Sequence, residues 1–386
     1  MKKLMIITNL YPHQYNSSAG IFVYHQAIEL AKHYEVMVVA TCDGYPYSTE
    51  FSNTGNLRES KIYYPYWKRY YLSSLFTYRL FAIPFIKQCL AVWQPELIHV
   101  HDFRHVPELV CLKPWLNKQN LPQYLTVHNI RTHPLRLVGN HLRWFYKQGM
   151  TLAFKRWTHI FTVNSRLAEW VLPYTTGDKL SVIGNAISPF VASSSKDLSK
   201  FTSNLSPTSY KIISVGNLVT EKGFHYLIEA VHILCGQGFE FQLSIVGDGP
   251  QRDSLIRQIA MLKLETRVTL CGRLDNSLVR SMYAHFDVFV LPSYSETFGI
   301  VYIEAMFAGL PVIGVTGQGI YGIMEDGKEA MFAKAESSSD LADKIKFLIE
   351  NPDVAKSIAD AGCTLVTQTY LLPKLIAKIT DVYERQ

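Results

Sequence analysis

The chain is poor in cysteine: six in 386 residues, and no two of them form a C-x-x-C pair. That scatter excludes a zinc knuckle or a disulfide framework and suits a reducing compartment. A long uncharged apolar run is also missing. The longest apolar-aromatic stretch, Leu72 to Trp93, is interrupted by Arg79, Pro84 and Lys87. A membrane-spanning helix would not carry those charges at mid-depth, so no span is expected. The opening run Leu4–Thr8 is too short for the core of a secretion signal and predicts a first strand instead. No G-x-G-x-x-G follows it, which argues against a dinucleotide dehydrogenase. Acidic residues are scarce in one half only. Residues 1–190 hold 20 Lys+Arg against 10 Asp+Glu, and the remainder holds 18 against 22. A basic half suits an anionic lipid surface or acceptor. Nucleic acid is not an expected partner, because no RNA- or DNA-reading motif accompanies the charge.

What is present is alternation. Strand-like runs at 4–8, 36–40, 97–100, 124–127, 160–163 and 180–183 alternate with helical stretches at 21–33, 73–93, 141–157 and 166–172. A second series, at 211–215, 241–246, 268–270, 288–291, 311–314 and 330–332, alternates with helical stretches at 222–236, 250–263, 276–285, 300–308, 340–350 and 352–362. Such alternation predicts an α/β fold of two doubly wound, Rossmann-like domains whose ligands sit at the carboxyl ends of the strands, in a cleft. The hydroxyl-rich segment 191–209 reads as a linker between domain 1–190 and domain 210–368. The remainder, 369–386, reads as an amphipathic closing helix with Leu372, Ile376, Ile379 and Val382 on one side.

The densest signal is Pro292-Ser293-Tyr294-Ser295-Glu296-Thr297-Phe298-Gly299-Ile300, with Glu304 eight residues after Glu296. An apolar strand precedes it and a helix opens near Gly299. A helix start offers unpaired N–H groups and a positive dipole end to a phosphate. Carboxylates in the turn and one turn into the helix can accept hydrogen bonds from a polyol. As a bare spacing, two such glutamates are more simply unrelated surface charges. With the intervening Phe-Gly, Glu304-Ala305-Met306 and Gly309-Leu310-Pro311-Val312, the segment resembles the family 4 glycosyltransferases, retaining enzymes of the two-domain GT-B fold.

The resemblance implies transfer of a sugar from a nucleotide-diphosphate sugar to a hydroxyl of a glycan or lipid-linked acceptor, as in bacterial surface-polysaccharide synthesis. It implies no metal or other cofactor. Val215-Gly216-Asn217-Leu218-Val219-Thr220-Glu221-Lys222-Gly223 resembles the family's diphosphate loop, with Asn217 standing where the family has arginine. Lys222, Gly20 and the backbone of Phe298, Gly299 and Ile300 are then expected to hold the diphosphate, Glu296 the donor sugar and Glu304 the ribose. Gly247 and Arg273 fall on the base-side turns. His128, after the strand 124–127, matches the family's histidine near the sugar. Glu296, His128 and Lys222 are the expected catalytic set, and His101 a weaker acceptor-binding candidate. At Thr316-Gly317-Gln318-Gly319-Ile320 the family's paired glycines are split by Gln318. Two alternatives remain open on sequence alone: a GT-B nucleotide-sugar epimerase, and a non-catalytic nucleotide-sugar-binding subunit. The aromatic, basic segment Tyr63–Tyr71 suits a bilayer interface, sugar stacking or an ordinary covering loop. The expected location is the cytoplasm, at the inner face of the cell membrane.

Overall fold

A computed structural model describes residues 1–16, 19–65, 76–101, 106–129, 148–190 and 209–385. The linker at 191–208, residues 66–71 of the aromatic segment and the first half of the helix expected at 141–157 lie outside the described residues. The chain divides into two units. One is Met1–Gly184 with the segment from Leu375 onward, and the other is Asn185–Lys374.

The first unit is built on an eight-stranded sheet of order β3-β4-β2-β1-β5-β6-β7-β8. Its strands are β1 (Lys3–Thr8), β2 (Glu35–Asp43), β3 (Ser48–Thr54), β4 (Leu57–Tyr64), β5 (Leu97–His101), β6 (Gln123–Val127), β7 (His159–Thr162) and β8 (Leu180–Val182). All neighbours pair in parallel except β3 and β4, an antiparallel hairpin. Leu4 to Ile7 of β1 are fully buried, as continuous apolar strands covered on both faces should be. Each such side chain contributes about 1.5–3 kcal/mol by leaving water. Helices α1 (Ile21–Leu30), α2 (Ile83–Trp93), α3 (Val106–Leu116) and α4 (Ser165–Val171) follow strands of this sheet, α2 extending from a π-helical turn at Tyr78–Ala82. Asn164 caps α4 by accepting the Leu167 N–H at 2.8 Å.

Two features of this unit depart from the sequence reading. The β3–β4 hairpin was not expected, and neither was α3, which contains Pro114. Tyr63 and Tyr64, expected in a loop suited to a bilayer interface, to sugar stacking or to covering a core, instead close β4 and are buried, Tyr63 donating its hydroxyl to Glu50 at 2.6 Å. The pairing of β4 with β2 takes them out of solvent.

The second unit carries a six-stranded parallel sheet of order β11-β10-β9-β12-β13-β14. Its strands are β9 (Tyr210–Val215), β10 (Phe241–Val246), β11 (Val268–Gly272), β12 (Val288–Val290), β13 (Val312–Val315) and β14 (Met331–Ala333). Between and after them run α5 (Phe224–Gly236), α6 (Arg252–Met261), α7 (Asn276–Met282), α8 (Ile300–Phe307), α9 (Ser338–Glu350) and α10 (Pro352–Thr369), and the chain then enters α11 (Leu372–Glu384), whose residues from Leu375 onward belong to the first unit. Strand order reverses direction at β9 and β12, so the loops after these two strands lie side by side at the carboxyl edge. Those loops are 216–223 and 291–299.

Candidate functional site

The two loops are stitched together by their backbones. Tyr294 N–H donates to the Glu221 carbonyl at 3.0 Å, and the Ser293 hydroxyl donates to the same oxygen at 3.2 Å. Gly223 sits at φ 69°, and a Cβ there would stand 2.3 Å from the Pro292 carbonyl oxygen. Only glycine permits that approach. Because the loops close on each other, Lys222 at the end of one reaches Glu296 in the other, Nζ to Oε2 at 2.5 Å. Both side chains are mostly buried but keep some exposure, 20% and 15%. Their charges therefore cancel in a partly dry setting that remains open to a ligand.

Glu296 is fixed from two further directions. Its N–H donates to Gln318 Oε1 at 3.2 Å, and its carbonyl accepts the Gly319 N–H at 3.0 Å. Gln318, which splits the expected glycine pair, thus clamps the backbone of the candidate sugar-binding glutamate. Gly299 precedes α8 at φ 78°, and Ile300 is the first helical residue. Among the described residues, the amides of Phe298 and Gly299 donate to no protein acceptor. They and the Lys222 ammonium belong to one loop cluster. Phe298 itself is buried, packing on the Tyr370 ring with centroids 5.8 Å apart.

Glu304, the expected ribose ligand, already has protein partners. It is buried, and its Oε1 accepts Arg280 Nε at 3.0 Å, Arg280 Nη2 at 2.9 Å and Asn276 Nδ2 at 3.3 Å. Burial pushes its carboxyl above the usual carboxylate range, against the opposing pull of the Arg280 guanidinium. The two glutamates thus hold different cations, Lys222 and Arg280, and no shared hydrogen-bond network. Arg280 is absent from the sequence-based candidates. Its signal was the spacing of Asn276 and Arg280, four apart and hence on one face of α7.

The remaining second-unit candidates divide. Asn217 and Arg273 are exposed, at the carboxyl ends of β9 and β11. Gly247 spends its N–H on the Gly272 carbonyl at 2.8 Å, so that donor is already satisfied within the protein.

In the first unit Gly20 is buried at φ 53°, and a Cβ would stand 2.2 Å from the carbonyl carbon and oxygen of Leu10. The requirement for glycine there comes from Leu10. His101 ends β5 and His128 follows β6, neighbouring strands in register, so the topology brings the rings together. His101 Nδ1 lies 3.2 Å from His128 Nε2, and the rings stack with centroids 5.5 Å apart. His101, the expected acceptor-binding candidate, has no exposed surface. Among the described residues, no group of three His, Cys, Asp or Glu is placed to hold a metal, and no helix is long and apolar enough to cross a membrane.

Known proteins with this pattern agree. Residues 19–189 match Glycosyltransferase Family 4, and residues 195–363 match Glycosyl transferases group 1. The chain belongs to the family 4 glycosyltransferases. Its relatives within reach of sequence include an alpha-D-kanosaminyltransferase of Streptomyces kanamyceticus, 30% identical over 45% of each chain. A lipopolysaccharide core biosynthesis glycosyltransferase of Rhizobium meliloti is 33% identical over 41% of this chain and 45% of the relative. The chain spans less than half the length of these curated relatives. Among solved structures, a sucrose-phosphate synthase from Thermosynechococcus elongatus superposes with a TM-score of 0.79 at 18% identity, covering 100% of this chain and 99% of the other. HepE of Anabaena, solved in complex with UDP, gives 0.74 at 19% identity with both chains fully covered. The family 4 chain therefore has the two parallel-sheet α/β units of the GT-B fold.

Proposed function

We propose that this protein is a retaining glycosyltransferase that moves a sugar from a nucleotide-diphosphate sugar to a hydroxyl of a glycan or lipid-linked acceptor in surface-polysaccharide synthesis. The observation that carries the proposal is the pairing of Lys222 with Glu296 beside the undonated amides of Phe298 and Gly299. A lysine point charge and helix-start amides suit a diphosphate, and a clamped carboxylate suits sugar hydroxyls. On this reading Lys222 takes up charge on the departing diphosphate, and Glu296 orients the sugar through its hydroxyls. His128 acts beside the transferred sugar, as the family resemblance implies. The departing phosphate oxygen assists removal of the acceptor's proton on the same sugar face, which retains the anomeric configuration. Catalysis then rests on positioning and charge stabilisation, not on a protein base. The relatives described as lipopolysaccharide core and colanic acid biosynthesis glycosyltransferases support the polysaccharide role.

The test is a thermal-shift screen against UDP, GDP, ADP and their sugars, followed by turnover of the donor that stabilises most, with and without a lipid-linked acceptor. Acceptor-dependent nucleotide release, with an axial or equatorial product linkage matching the donor's, supports the proposal. Acceptor-free conversion of the sugar would show an epimerase instead. Tight nucleotide binding without turnover would show a binding subunit, the reading that Asn217 in place of arginine favours.

A further inference from the structure

Glu304 is gripped on one oxygen only. Three donors converge on its Oε1: Arg280 Nε at 3.0 Å, Arg280 Nη2 at 2.9 Å and Asn276 Nδ2 at 3.3 Å. An arginine that pairs side-on with a carboxylate often spends one donor on each oxygen. Here both go to the same oxygen, and among the described residues Oε2 accepts no hydrogen bond. Oε2 is not sealed in either: the 4% of the side chain that stays exposed includes this oxygen.

The grip is itself held in place. Asn276 and Arg280 lie four apart on one face of α7, and Glu304 and Phe307 three apart on one face of α8. The Arg280 guanidinium stacks over the Phe190 ring at 4.8 Å, and that ring packs on Phe307 with centroids 5.0 Å apart. The planar cation is thus fixed between a carboxylate and an aromatic face. Burial works against a charged carboxyl at Glu304, and Arg280 is the main group that works for it. The exposed Arg273, expected beside the base, stands three positions before α7. The same segment therefore carries the base-side turn and the grip on Glu304.

We propose that Arg280 is a positioning residue: with Asn276 and the Phe190 ring it locks Glu304 so that Oε2 is presented to the ribose hydroxyls of the nucleotide. The assignment rests on the reading above that this protein takes a nucleotide-diphosphate sugar. An ionised carboxylate oxygen only accepts hydrogen bonds, so it suits the neighbouring O–H donors of a ribose and gains nothing from a sugar stripped of them. Arg280 acts through Glu304, its Nε and Nη2 spent on Oε1 and its face on Phe190.

The test is calorimetric titration with UDP, GDP and ADP, each beside its 2′,3′-dideoxy analogue, taking the pair whose ribose form the wild type binds best. The wild type should prefer the ribose form by about 10- to 100-fold, the scale of hydrogen bonds to a charged acceptor. Arg280→Met keeps an apolar side chain on Phe190 and removes the donors. Its preference should fall below about three-fold, while affinity for the dideoxy analogue stays within about two-fold of the wild type. Glu304→Ala should lose the preference to the same extent, and adding Arg280→Met to it should change nothing further. Arg280→Lys, which keeps the charge without the paired donors, should lose at least about three-fold of the preference and carries the comparison if the methionine variant fails to fold. An Arg280 with only a structural role would weaken both ligands alike and leave their ratio untouched, which overturns the proposal. So does a wild type with no preference, a Glu304→Ala variant that keeps it, or a double variant that loses more than Glu304→Ala alone. A wild type that binds none of the three diphosphates overturns the functional reading and this assignment together, whereas binding with an unchanged ratio overturns the assignment alone.

Discussion

Lys222 Nζ lies 2.5 Å from Glu296 Oε2, so the cation proposed to meet a diphosphate is already neutralised by the carboxylate proposed to meet the sugar. A ligand bringing its own negative charge competes with Glu296 for Lys222. Glu296→Gln should therefore keep or tighten the affinity for a nucleoside diphosphate by a few-fold, while kcat falls by about 100-fold through loss of a sugar contact. Lys222→Met should weaken the same affinity by about 10- to 100-fold. Calorimetry with the best diphosphate and turnover of its sugar measure both. Equal loss of affinity in the two variants would show that the pair acts only as a structural bridge.

Asn217 is exposed in the loop that carries Lys222, where the family has arginine. Asn217→Arg should add a bidentate phosphate contact and tighten nucleotide binding by about ten-fold, worth about 1.4 kcal/mol. Titration of both proteins at one ionic strength checks it. No gain would mean that residue 217 does not face the phosphates.

Gly223→Ala should be far more damaging than an ordinary glycine replacement. The new Cβ would meet the Pro292 carbonyl at 2.3 Å in a backbone conformation that alanine resists. Forcing the two loops apart should cost about 2 kcal/mol or more in urea denaturation. It should also abolish nucleotide binding, because Lys222 and the 292–299 loop separate. A stable variant with normal affinity would show that the contact is dispensable.

Lys113 makes the fold sensitive to pH. Its ammonium is buried under Trp157 at 3.5 Å, donating to Gln123 Oε1 at 2.7 Å and the Arg156 carbonyl at 3.2 Å. Burial lowers its value to about 7 from 10.5. Between those values the unfolded chain binds the proton and the folded chain does not, so stability contributed at this site rises with pH from about 7 upward. Below 7 both states are charged and the full burial penalty is present. The wild type, measured against Lys113→Met, should therefore gain about 2 kcal/mol between pH 6.5 and 9. Parallel denaturation curves for the two proteins at both pH values would contradict this.

The candidate site was only partly legible in the residues. Lys222 and Glu296 are separated by 74 positions, yet each stood out, because the loop that carries it resembles a motif of the family. The Glu304–Arg280 bond was not legible. Nothing in the spacing of the two glutamates says that Arg280 of α7 reaches Glu304 of α8, a contact that makes the expected ribose ligand half of a buried ion pair as well. The β3–β4 hairpin was hidden for a related reason. Ser48–Thr54 is polar and largely exposed, so it carries little periodic signal, and it becomes a strand only because β4 supplies its partner.

Sequence alone determined the alternation of strands and helices, and with it two parallel sheets, because buried strands must be apolar and turns between them need glycine and polar residues. It also determined the membership of the chain in its family, since a long motif of mixed residue types is specific. Tertiary structure decided which charges meet. Lys222 with Glu296, Arg280 with Glu304 and His101 with His128 are pairs made by neighbouring strands and helices, across distances in the chain that no local pattern records. A local sequence fixes how a segment folds; the partner of a buried polar atom depends on what the remaining chain places beside it.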